Sequence, residues 1–169
     1  MSFQSSDRPP LCFSIETRKT IGQTYSALEG LYRHYTLIYV VADERDVVRL
    51  RTNYRREDVY LYHTLASAEQ ARERFREYIS TVNVLHENPR WYNAVTSNCT
   101  TSIRTQRAVK LRAPWDWRIL LNGKADEMLY DHHAIVTGGL PFSELKQRSL
   151  INERAWAEDK DPDFSRLIR

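Results

Sequence analysis

Apolar and polar positions alternate early in the chain. From Leu11 the run is apolar, and then Phe13 and Ile15 alternate with Ser14 and Glu16, as in a strand with one buried face. Tyr35 to Val41 is β-branched and aromatic, which predicts a buried strand, and Val59 to Tyr62 predicts a short one. Between these two strands, Asp43 to Thr52 begins with acids and ends with Arg49 and Arg51. That order complements a helix dipole and leaves Val47, Val48 and Leu50 for burial. Gly22 to Gly30 is polar and reads as a connecting loop.

The period then changes. Ala71, Phe75, Tyr78, Ile79, Val82 and Leu85 recur at helical spacing, with Ser67 available as N-cap and Asn88-Pro89 as the stop, so a helix is predicted over Ala68 to His86. A second helix is predicted from Asn98 through Val109, and shorter ones over Trp115 to Leu121, Ala125 to Tyr130, Ser143 to Arg148 and Ile151 to Ala157. Strands first and helices afterwards read as α+β, a small antiparallel sheet packed against helices. With 169 residues the chain suits one domain over 1–169. Residues 159–169 are polar and read as a tail, with Phe164, Leu167 and Ile168 available to dock.

Composition narrows the partners. The 25 basic residues outnumber the 22 acidic ones by only three, and most of them are arginines interleaved with acids, as in Asp43-Glu44-Arg45-Asp46. No basic stripe results, so nucleic acid is not expected as a partner. Cys12 and Cys99 make neither a disulfide framework nor a zinc signature, and adjacent His132 and His133 point apart, so no cofactor or metal is expected. The longest apolar run, Leu37 to Ala42, is far short of the roughly 20 residues of a membrane span. The opening MSFQSSDRPP lacks a basic start and an apolar stretch, so no signal is read and the chain by itself points to the cytoplasm.

The segment from Trp91 to Arg104 is the one with chemical promise. Ser97 or Asn98 is a good N-cap, which places Cys99 in the first turn of a helix, where backbone N–H groups and the dipole favour a thiolate. Arg104 adds positive charge nearby. The same spacing fits a small buried side chain at a helix start. His34, His63, His86, His132 and His133 are the available bases, and the sequence places none of them beside Cys99. Glu16, on the first strand, can orient a histidine as the third member of a Cys-His-acid set, or simply face solvent. Trp115-Asp116-Trp117 reads as core more readily than as a binding platform.

These stretches together resemble one bacterial family. They are Phe13 to Arg18, Tyr35 to Asp46, Arg51-Thr52-Asn53, Val59 to Tyr62, Trp91-Tyr92-Asn93 and Asn98-Cys99-Thr100-Thr101, with Ile151 to Ala155 and Asp163 to Arg169 similar to its closing segments. The family is the Lnb N-terminal periplasmic domain, a cell-envelope domain of unknown function, and the resemblance spans nearly the whole chain. It implies a distant relation to the circularly permuted papain-like, NlpC-type fold, in which a histidine on an early strand precedes a cysteine at a helix start. Cys99 matches the cysteine, and Glu16 the polar residue on the strand that follows the histidine strand. Trp91, Asn93, Asn98 and Arg104 become candidate substrate contacts.

In the family an Ala-His pair stands just ahead of the strand that here begins Met1-Ser2-Phe3. The expectation is therefore a chain without the first strand, its histidine and any upstream membrane-targeting segment. Two functions follow from the resemblance. One is a cysteine-dependent hydrolase or acyltransferase of the periplasm or membrane-associated envelope, acting on an unknown envelope substrate. The other is a non-catalytic accessory module that docks a protein partner or glycan through its tryptophans.

Overall fold

The computed structural model describes residues 1–5, 8–18, 35–93, 98–107, 115–120 and 123–169. The loop expected over Gly22 to Gly30, His34, and the end of the helix expected to reach Val109 lie outside them. The fold is α+β. A three-stranded antiparallel sheet in the order β1-β2-β3 is formed by β1 (Ser2–Ser5), β2 (Arg8–Arg18) and β3 (Thr36–Asp43).

The β1–β2 pairing runs Ser2 to Cys12 and Phe3 to Leu11, then shifts before Ser5 meets Arg8. Gln4 thus faces two residues, Pro9 and Pro10. Neither proline has an N–H for the ladder, so the irregularity falls where the pairing is weakest. Phe3 and Phe13 then meet edge to face at 5.6 Å.

The chain divides into two compact units. The first comprises Met1–Ser14, Val41–Ala66 and Leu129–Arg169. Its α1 (Glu44–Arg49) starts at Asp43, whose carboxylate accepts from the Arg45 N–H at 2.9 Å. The helix widens into a π-helical turn over Leu50–Tyr54. Val47 and Val48 are buried as expected, but Leu50 points outward, because it is the residue at which the helix widens.

The short strand expected over Val59 to Tyr62 is not formed; a single bridge joins Tyr60 to Leu150. Its backbone is satisfied differently. Leu61 N–H donates to Ser149, Ile151 N–H donates to Val59, and the buried Asn152 side chain takes the Val59 N–H and gives to the Glu57 carbonyl. A side chain does the work of a partner strand, so no ladder is needed.

The division falls within α4 (Ala125–Asp131), and the first unit also carries α5 (Phe142–Ser149), α6 (Asn152–Ala157) and α7 (Phe164–Leu167). Val48, Ile151, Ala155, Phe164 and Ile168 form one buried cluster, with Val59 and Leu61 packed on it. The polar stretch 159–169 thus contributes two fully buried side chains. Its last arginine forms a bidentate pair with the buried Glu44, at 2.8 and 2.9 Å.

The second unit comprises Ile15–Val40 and Ser67–Met128. Its α2 (Ala68–Glu87) begins with a full capping box: Ser67 accepts from the Gln70 N–H and the Gln70 side chain accepts from the Ser67 N–H. Tyr78 is its buried anchor, while Ile79, one position round the helix, is exposed. Residues beyond the Asn88 cap return alongside β3. Leu37 N–H donates to Arg90, Trp91 bridges Thr36, and Tyr92 N–H donates to Tyr35. Tyr35, Leu37 and Tyr92 form the core here, with Ile15, Tyr39 and Leu85 against them. No helix among the described residues is long and apolar enough to cross a membrane.

Candidate functional site

Cys99 is the first residue of α3 (Cys99–Thr105), and Asn98 is its N-cap. The Asn98 side chain accepts from the Thr101 N–H at 2.8 Å and donates from Nδ2 to the Ile119 carbonyl at 3.3 Å. Asn98 is wholly buried, so both ends of its amide are spent on positioning. One end closes the helix start; the other holds α3 to the 3-10 turn at Trp117–Leu120. Residues 94–97, including the alternative cap Ser97, lie outside the described residues. Cys99 itself is half-buried, with its Sγ 3.8 Å from the Thr100 hydroxyl.

Arg104 closes the same short helix, and its guanidinium lies over the Trp115 ring at 5.4 Å. Asn98, Cys99, Arg104 and Trp115 are therefore one local assembly. Trp91 and Asn93 belong to the segment beside β3; Trp91 is 55% exposed and Asn93 is half-buried. Glu16 is half-buried on β2. Trp115 and Trp117 are each 61% exposed, against the core reading of this tripeptide. Asp116 explains it: the carboxylate between them is turned onto Arg118 by hydrogen bonds of 2.8 to 3.2 Å and takes the Arg118 N–H, while Ile119 supplies the buried contact.

The two thiols differ. Cys12 is buried in the first unit, and burial pushes its thiol above the ordinary range. Cys99 is the more accessible of the pair.

A cavity of about 240 Å³ opens beside α3 in the second unit. Leu37, Val84 and Leu85 give it an apolar wall, and Arg90, Ser102 and Gln106 supply polar groups. The sequence pattern marks Leu37 and Leu85 only as core positions and does not show the cavity they line. The one available signal is helical spacing, since Ser102 and Gln106 stand three and seven positions after Cys99 and share its face of the helix.

A family model described as the Lnb N-terminal periplasmic domain matches residues 1–123. No curated protein and no solved structure matches the chain.

Proposed function

Since the chain belongs to the Lnb N-terminal periplasmic domain family, we propose that this bacterial periplasmic domain is a thiol hydrolase or acyltransferase with Cys99 as its nucleophile. The observation that carries this reading is the half-buried Cys99 at the start of α3, fixed by the buried Asn98 cap. The sulfur attacks an acyl carbonyl, the leaving group departs with a proton, and water or an acceptor nucleophile then releases the acyl group from the thioester. Backbone N–H groups at the helix start would face the developing oxyanion. Glu16 would be the acid of the set, with no histidine of this chain assigned as its base, and Trp91, Asn93 and Arg104 would contact the substrate.

p-Nitrophenyl acetate tests this directly. Native chain should release a burst of nitrophenolate approaching one equivalent and gain one acetyl group on Cys99. Cys99→Ala should abolish both, and Cys12 should stay unmodified. A Cys99 that acetylates no faster in the folded chain than in the urea-unfolded chain would sink the reading.

One observation favours a second reading, a non-catalytic docking module: Trp91, Trp115 and Trp117 are all more than half exposed. Tryptophan is enriched at binding interfaces. That reading predicts an inert Cys99 and loss of partner capture on Trp117→Ala.

A further inference from the structure

The cavity beside α3 holds a single charged side chain among the described residues of its lining. Arg49, Arg51, Arg74, Arg107, Arg118, Arg166 and Arg169 each hold a carboxylate within salt-bridge distance, while others, such as Arg72 and Arg76, hold none among the described residues. Arg90, the one charged side chain in the cavity lining, has no ion pair among the described residues. Its main chain is fixed, because its carbonyl accepts the Leu37 N–H at 2.9 Å. A pinned backbone thus brings Arg90 to the cavity lining, with no carboxylate paired to it among the described residues.

Gln106, in the same lining, donates from Nε2 to the Tyr39 hydroxyl at 2.7 Å. Burial also pushes the Tyr39 hydroxyl upward, so it stays a neutral donor. The Ser80 and Ser102 hydroxyls line the same space. The lining therefore offers one planar cationic fork, hydroxyl groups and the apolar wall of Leu37, Val84 and Leu85.

We infer that this cavity binds the free carboxylate end of a peptide, with the carboxylate on Arg90, the last side chain on the apolar wall and the Ser80 and Ser102 hydroxyls available to the last peptide unit. A guanidinium fork matches a planar carboxylate with two parallel hydrogen bonds. A single unpaired arginine balances one carboxylate charge and under-neutralises a phosphate, which carries up to two. The volume holds about eight waters at roughly 30 Å³ each, room for a chain end and not for a folded partner.

The site lies next to the proposed nucleophile. Cys99 and Ser102 fall at i and i+3 of α3, and Gln106 is its C-cap, so the cavity wall begins one turn from Cys99, roughly 5–6 Å between side-chain bases. As a substrate pocket for Cys99 it rests on the function proposed above. As a carboxylate site it does not.

The test is an NMR titration of the full chain with N-acetyl-alanyl-alanine and with its C-terminal amide. The acid should bind at least tenfold more tightly than the amide, shifting signals of residues 80–85 and 102–106. Arg90→Gln should bring the acid down to the affinity of the amide. Arg72→Gln, on an exposed part of α2, should leave it unchanged, and unperturbed spectra elsewhere will show that both variants fold. Equal binding of acid and amide, or an acid affinity indifferent to Arg90→Gln, overturns the inference. So does inorganic phosphate displacing the acid at lower concentration than the acid itself requires.

Acetylation by p-nitrophenyl acetate needs no carboxylate contact, so the two ideas fail separately. Cys99 acetylated with no acid binding removes the cavity assignment alone. Acid bound through Arg90 with an inert Cys99 leaves the cavity assignment standing and removes the nucleophile.

Discussion

Glu44 is 1% exposed, and its charge depends on a residue 125 positions away. Arg169 meets it with two parallel hydrogen bonds and also donates to the Ser165 carbonyl. The two partners are not equivalent, because the Arg169 side chain keeps 19% of its surface in water. Removing the arginine strands a carboxylate in the interior, whereas removing the carboxylate leaves a guanidinium that can turn outward. Arg169→Met should therefore cost about 3 kcal/mol of stability, and Glu44→Gln less than half as much, read as midpoints in urea. Equal losses would show that Glu44 has water access. Nothing in the order of residues shows this pair, since a helix-start glutamate and a distant arginine are both ordinary surface residues in sequence. Asn98 is the opposite case. Cap chemistry is local, so its role at the start of α3 is readable from the residues around it. Arg90 is illegible for a third reason: its interest lies in having no paired carboxylate among the described residues, which only the folded arrangement decides.

Elements follow the same rule of reach. The pattern gives α2 to within a residue at its C-terminal end, because twenty residues of helical period, a capping box and an Asn-Pro stop all act within a few positions. It overstates Val59 to Tyr62, whose hydrogen bonds come from Ser149, Ile151 and Asn152, far along the chain. Contacts between elements are less legible still. Asp159, just past α6, ties that end of the chain to α1 and the π-helical turn. Its carboxylate accepts from Arg49 Nε at 2.8 Å and Asn53 Nδ2 at 2.6 Å, and its carbonyl accepts from Arg45. The Arg49 hydrogen bond holds the Asp159 carboxyl below its usual range. An unfolded aspartate takes up its proton near pH 3.9, before the folded one does. The contribution of this clamp is therefore complete above that pH and is lost as pH falls towards the folded value. Asp159→Asn should be less stable than the native chain at pH 7 and should show a shallower loss of melting temperature between pH 5 and 3. Parallel acid limbs for the two proteins would show that the clamp adds nothing.

At the scale of the whole molecule, the family match and the packing end at different places. The match stops at residue 123. Of the five buried side chains in the main cluster of the first unit, Ile151, Ala155, Phe164 and Ile168 lie beyond it, and only Val48 lies within it. The segments Met1–Ser14 and Val41–Ala66 depend on Leu129–Arg169 for their apolar cover and for the Glu44 counter-charge. The α+β class is visible in the order of periodicities, but this dependence is not, because periodicity says which residues are buried and not what buries them. A chain ended after residue 123 should therefore lose cooperative unfolding of the first unit and expose the α1 amides to rapid hydrogen exchange. In the intact chain, Phe164→Ala should cost about 3–5 kcal/mol. Native-like exchange protection of residues 44–54 in the shortened chain would place the stability of this unit in the matched region alone, and the C-terminal helices would then be an addition to the domain instead of half of its core.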